Sequence, residues 1–237
     1  KPLAEFSEHM DYRFKIQLWK DGAWRDYIKY ARVMPEHVTE DGLHYLFYPC
    51  TGSCFLSVGF QAINTRPLYN YIKPLQGLPV HRLYIRDWMG GDERTHSSYY
   101  LGPNKTLTIA DACQRLIKEY CEKYHIEPEN TIFLGSSKGG YAALYHGLAF
   151  GAGHIVVGSP QTRLAAFLVR EQQKEHFRNR IFEWLFGPIT AENKAYADAL
   201  LFNHTEKFAR PYQKVSILVG RHEEHYVEHV LPFQQAF

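Results

Sequence analysis

No run of about 18 apolar residues occurs anywhere in the 237-residue chain, so no segment has the composition of a membrane-spanning helix. The amino terminus also lacks the basic-then-apolar pattern of a secretory signal. The chain opens on Lys1 rather than Met, which leaves a processed or excised fragment open. Cysteine is scarce: Cys50, Cys54, Cys113 and Cys121 show no paired CxxC spacing, which excludes a zinc ribbon and reads as free thiols in a reducing compartment. Blocks of like charge, low-complexity tracts and internal repeats are absent. With a net charge of +2, no electrostatic footprint for nucleic acid or a membrane surface is expected.

Apolar side chains are plentiful, at 45%, enough for a full core in one main domain with an appendage. The 17 tyrosines and 15 phenylalanines suit a sugar-stacking groove, but an aromatic-rich core is the plainer reading. From Tyr12 to Trp19 residues alternate, with Phe14, Ile16 and Leu18 opposite Arg13, Lys15 and Gln17. Asp21-Gly22 and an aromatic run to Tyr27 follow, a β-hairpin pattern. A second Asp-Gly, Asp41-Gly42, precedes a strand over Leu43 to Pro49.

Beyond this point short apolar runs (Cys54 to Phe60, Arg82 to Ile85, Thr131 to Leu134, His154 to Gly158, Lys214 to Gly220) alternate with helical stretches. That alternation predicts parallel strands with crossover helices. The clearest helix is Thr108 to Tyr124, where Ile109, Ala112, Leu116, Ile117, Tyr120 and Tyr124 recur at helical spacing. Leu164 to Phe186 and Ala191 to Phe208 also read as helices, separated by Gly187-Pro188.

The chemistry centres on Gly135-Ser136-Ser137-Lys138-Gly139, a G-x-S-x-G motif that follows the apolar run to Leu134 and enters a small-residue helix through Leu148. Strand, sharp turn and helix form the context of a nucleophile elbow, in which Ser137 is lifted clear of the sheet. Gly135 and Gly139 let the backbone pass without Cβ clashes, and the helix amino terminus sits beside a developing oxyanion. The Lys138 N–H is then one oxyanion donor, and the second is expected after the strand to Val58, at Gly59 or Phe60. This is the pattern of an α/β-hydrolase-like, mostly parallel sheet with flanking helices, preceded by N-terminal β-hairpins. The expected division is a hairpin extension over 1–42 and the hydrolase-like domain over 43–237. The paired helices after residue 164 stand where such enzymes place a lid.

In this fold the acid follows a late strand, which selects Glu223, with Glu224 second, to orient a histidine and stabilise its imidazolium. The histidine normally comes a few tens of residues after the acid, so it is expected beyond Phe237, the domain lacking its last strand and helix. His225 and His229 are the candidates within the chain; His222 breaks the order. His225-Tyr-Val-Glu-His229 also matches H-x-x-E-H, which on a helix presents two imidazoles to zinc. That motif needs a third ligand downstream, and no metal is expected.

Tyr69-Asn70-Tyr71, Tyr84-Ile85-Arg86-Asp87, Tyr99-Tyr100, the elbow with Gly140, Ser159-Pro160-Gln161 and Gly220 to His225 occur in this order. Together they resemble the α/β-hydrolase-like proteins of bacterial surface-glycan loci: capsule-biosynthesis proteins, polysaccharide O-acetyltransferases, and the acetyltransferase component of accessory secretion systems. The resemblance implies serine-dependent acetyl transfer to a glycan hydroxyl or to water, with acetyl-CoA as a donor but no bound cofactor. It further implies a cytoplasmic location, membrane association only through partners, and glycan-assembly or secretion machinery as those partners. It places Asp87 and Gln161 as lining or support of the site. The alternatives are a simple carboxylesterase and a non-catalytic scaffold in a glycan-assembly complex.

Overall fold

The computed structural model describes residues 13–32 and 34–237. Tyr12, at the head of the alternating segment, and the residues before it lie outside the described residues. Strands β1 (Arg13–Lys20) and β2 (Ala23–Arg32) form a separate antiparallel pair closed at Asp21-Gly22. Both conformations in that turn are left-handed, with φ of 54° and 76°, as a tight hairpin requires. The alternation does not bury a face: every residue of β1 is exposed, Leu18 by 52%. The ladder shifts register on both sides of Ile16, which breaks the clean in-and-out pattern.

The main sheet has seven strands in the order β3-β4-β6-β5-β7-β8-β9. Its members are β3 (Glu36–Val38), β4 (His44–Tyr48), β5 (Leu56–Phe60), β6 (His81–Arg86), β7 (Thr131–Ser136), β8 (His154–Gly158) and β9 (Lys214–Leu218). The first two enter antiparallel and the rest run parallel. β3 and β4 form the second hairpin, closed by Thr39, whose hydroxyl accepts from Leu43 N at 3.0 Å. Residues 36–38, from the segment assigned to the extension, thus belong to the main sheet.

Helix α1 (Ile72–Leu75) lies between β5 and β6, α2 (Thr108–Tyr124) between β6 and β7, and α3 (Lys138–Phe150) between β7 and β8. α2 occupies the segment its apolar spacing predicts and ends on His125 at a φ of 54°. α3 is buried from Lys138 to Leu148 because its small residues let it press on β7 and β8, with α6 (Ala191–Phe208) against it. The helix read over 164–186 is two helices, α4 (Leu164–Leu168) and α5 (Phe177–Phe186). The polar stretch between them offers no apolar stripe. Asn179 takes up its backbone, accepting from Arg170 N at 2.7 Å and donating to the carbonyls of Arg170, Gln173 and Lys174.

After β9 the chain makes a π-helical turn, Tyr226–Val230, and enters α7 (Leu231–Ala236). Connections leave β5 toward β6 and β7 toward β8, in opposite directions across the sheet. The carboxyl ends of β5 and β7 therefore lie where the strand order reverses, the place where open α/β sheets bind ligands.

Candidate active site

Ser137 stands at the end of β7 and caps α3 with φ 56° and ψ −120°, a backbone position that a side chain rarely adopts. The two elbow glycines explain how the chain reaches it. A Cβ on Gly135 would sit 2.0 Å from the Gly139 carbonyl oxygen, and one on Gly139 would sit 2.6 Å from that of Phe60. Ser137 N donates to Gly158 O at 2.8 Å, tying the elbow to the end of β8. The first-turn N–H groups of α3, Lys138's included, have no intrahelical acceptor and gather at its amino end.

Ser137 Oγ accepts from Gln161 Nε2 at 2.6 Å, and Gln161 Oε1 accepts from Tyr99 OH at 2.7 Å. Gln161 and Tyr99 are fully buried. Burial drives the Tyr99 phenol well above its ordinary pKa, so it stands as a neutral donor.

Asp87 lies just beyond β6 and is buried under donors. Lys138 Nζ reaches it at 2.8 Å, Ser98 Oγ at 2.5 Å and Ser98 N at 2.9 Å. Its own N–H donates to Gln61 Oε1 at 3.1 Å. Burial lowers the Lys138 pKa, opposed by the charge and hydrogen bond of Asp87. Lys138 thus has two functions in one residue: its backbone opens α3, and its side chain locks the elbow to the end of β6.

Gly59 and Phe60 are the last two residues of β5, and Gly59 carries ladder pairs to both neighbours. The amides that follow are held by side chains: Gln61 N donates to Tyr100 OH at 2.6 Å and Ala62 N to Asn70 Oδ1 at 3.1 Å.

Glu223 lies in the turn after β9. It accepts from Gly220 N at 3.1 Å and, through its other oxygen, from the Ser159 hydroxyl. These bonds hold its carboxyl below the usual range, the serine having the larger effect and His225 adding a smaller electrostatic one. Glu224 and His222 are exposed. His225 packs its ring 5.7 Å from Phe167 and 5.3 Å from His229, and its Nε2 is buried without a hydrogen bond. His229 is buried, accepts from Arg163 N at 3.3 Å, and has its pKa pushed down to about 4, chiefly by burial.

The structure therefore joins Ser137 to Gln161, Lys138 to Asp87, and Glu223 to the segment bearing Gln161. Among the described residues no histidine hydrogen-bonds Ser137 or Glu223, and no group of three metal-ligating side chains gathers around His225 and His229. Tyr99 and Ser159 carry contacts that residue type alone does not signal; their trace in the sequence is their place in the Tyr99-Tyr100 and Ser159-Pro160-Gln161 pieces of the resemblance.

No family model and no curated protein matches the chain. Among solved structures, the capsule O-acetyltransferase of Neisseria meningitidis serogroup A is similar at a TM-score of 0.69 and 19% identity, over 86% of this chain and 81% of that one. A histidine-to-alanine variant of the same enzyme in complex with CoA gives 0.51 and 17%, over 85% and 93%. The Glycosylation Associate Protein (Gap123) complex from Streptococcus agalactiae gives 0.65 and 17%, over 77% of this chain; the chain spans 35% of that neighbour's length. The S-formylglutathione hydrolase of Agrobacterium tumefaciens gives 0.52 and 10%, over 93% and 95%. Proteins of the surface-glycan kind that the motifs resemble are thus among the structural neighbours. At these identities the likeness establishes the architecture: the chain has an α/β-hydrolase fold.

Proposed function

We propose that the protein is a serine-dependent O-acyltransferase that moves an acetyl group onto a hydroxyl of a bacterial surface glycan through an acyl-Ser137 intermediate. The observation that carries this reading is the backbone of Ser137, whose φ of 56° with ψ of −120° lies outside the left-handed helical region that turns and helix ends use, strain of the kind that gathers at functional sites. In the first half-reaction Ser137 Oγ bonds to the acyl carbon and its proton passes to a histidine. The donor's leaving atom then takes that proton as its bond to the acyl carbon breaks. In the second, the acceptor hydroxyl gives its proton to the base and attacks the acyl carbon. Ser137 Oγ leaves and is reprotonated.

Lys138 N–H supplies one oxyanion donor, with the strand end at Gly59 and Phe60 for the other. Glu223 orients the imidazole and Glu224 is the second choice. His225 is the base candidate, within electrostatic range of Glu223. Asp87 and Gln161 support the elbow. Acetyl-CoA suits the donor role: Arg170 and Arg178 flank the Phe167 ring at 5.9 and 4.0 Å, beside His225, and would meet its phosphates. That donor places the reaction in the cytoplasm, with glycan-assembly or secretion proteins as partners.

A second reading, a non-catalytic member of such an assembly, is favoured by the lack of a hydrogen bond from any described histidine to Ser137. A fluorophosphonate probe separates the two. Adduct formation at Ser137, absent from Ser137→Ala, supports the enzyme, while a folded protein that stays unlabelled supports the scaffold.

A further inference from the structure

We propose that Gln161 is a catalytic hydrogen-bond donor to the Ser137 oxygen, and that Tyr99 is the positioning residue that fixes its amide in the donating orientation. This rests on the acyl-Ser137 reading and assigns a further group to the same reaction.

The direction of the relay follows from counting donors. A glutamine amide can sit two ways round. With Nε2 toward Ser137, Tyr99 OH donates to Oε1, and the one proton left over is that of Ser137, which is only half-buried. Turned over, Gln161 would donate to Tyr99 OH, and the buried phenol's own proton would have no acceptor among the described residues. The backbone leaves the glutamine little freedom. Ser159 N donates to Leu218 O at 2.8 Å, Pro160 fixes its own φ, and Pro160 Cα lies 3.1 Å from where a Cβ on Gly140 would be.

The chemical consequence concerns which part of the hydroxyl is engaged. Gln161 occupies a lone pair of Ser137 Oγ and leaves its proton for the base. Negative charge collects on Oγ as that proton departs, and again when Oγ leaves the acyl carbon in the second half-reaction. A hydrogen bond to a charged oxygen is stronger than one to a neutral hydroxyl, so the donor favours both transition states over the resting enzyme.

The test compares Gln161→Leu, Gln161→Glu and Tyr99→Phe in the full chain, by fluorophosphonate labelling rate and by turnover of a small activated acetyl ester. Gln161→Leu should lower labelling and kcat by about 10- to 100-fold with KM little changed, and Tyr99→Phe by about 3- to 10-fold. Gln161→Glu should be active while its carboxyl is protonated and donates, then lose activity as it ionises and accepts. A descending limb absent from the wild-type pH profile would report that change. A packing role would not produce that limb. Wild-type labelling rates in folded Gln161→Leu, or an unchanged pH profile in Gln161→Glu, would overturn the assignment while leaving acyl-Ser137 intact. If Gln161→Leu does not fold, as judged by its thermal transition, Tyr99→Phe and Gln161→Glu decide. Absence of labelling in the wild type itself would remove the acyl-Ser137 reading and this inference with it.

Discussion

Lys138, the residue after the elbow serine, places its ammonium 2.8 Å from Asp87, with the two side chains 1% and 0% exposed. The pair spans from the start of α3 to the end of β6, so it sets the distance between the Ser137 turn and the strand two places away. A buried ion pair gains little over an apolar pair of the same shape, but removing one member strands the other charge. Asp87→Asn should therefore cost about 3–5 kcal/mol in urea unfolding. Lys138→Met should cost less, because Asp87 keeps its bonds from Ser97 and Ser98. Equal losses in the two variants would contradict this account.

The elbow backbone gives a prediction of opposite sign. Ser137→Gly removes the Cβ that resists φ 56°. Strain of this kind costs about 1–3 kcal/mol, and glycine's extra freedom in the unfolded chain takes back about 0.4–1 kcal/mol. Since Ser137→Gly and Ser137→Ala both lose the bond from Gln161, the glycine variant should be more stable than Ser137→Ala by about 1 kcal/mol in chemical denaturation, and should lose all labelling by a fluorophosphonate. Ser137→Ala keeps the strained backbone and should show no such gain.

Ser159 and Glu223 link the ends of β8 and β9. The serine hydroxyl is the main reason that the Glu223 carboxyl titrates low, so Ser159→Ala should raise the pH at which Glu223 takes up a proton. Where catalysis needs the carboxylate, the acid limb of the activity profile moves upward in pH. Glu223→Gln should lower kcat on the order of 10³- to 10⁴-fold if the glutamate orients an imidazole. His225→Ala should fall as far; full activity in that variant would assign the base to another histidine.

Buried histidines govern the response to acid. His146, stacked 5.3 Å from Phe60, has its pKa pushed down to about 3, and His204 and His229 stand at about 4, burial being the first cause in each. Between the unfolded value near 6.5 and these folded values the unfolded chain binds more protons, so stability falls as pH falls. The loss should be on the order of 1 kcal/mol per pH unit for each histidine that stays neutral. Thermal midpoints across pH 6.5 to 4 measure it, and His146→Phe should flatten the slope.

The order of elements was legible because apolar spacing is a local property. Thr108 to Tyr124, Ala191 to Phe208 and His154 to Gly158 have the same limits in the sequence reading and in the structure. The strand, turn and helix around Ser137 were legible too, since Gly135 answers a clash with Gly139 within five residues, although Gly139 makes room for the distant Phe60 carbonyl. The break between α4 and α5 was not, because one side chain, Asn179, creates it by binding backbone that no periodicity describes. Nor were the contacts that build the site: Lys138 with Asp87, Tyr99 with Gln161 and Ser159 with Glu223 join residues 51, 62 and 64 apart. Such pairs exist only once the strands have found their order, and their partners are polar residues that would read equally well as solvated turns.

That dependence on order has a kinetic side at β9. This strand pairs with β8 alone, matching Lys214 to His154 across the whole of α4, α5 and α6, and Val215 and Leu218 remain 41% and 61% exposed. A strand closed by so long a connection gains its contacts only after the loop entropy has been met, so β9 docks late and opens first. Its amides should exchange with deuterium ahead of those in β5 and β7. Each opening would carry Glu223 away from Ser159, so the link between the ends of β8 and β9 is assembled last in folding and is the first part to come apart.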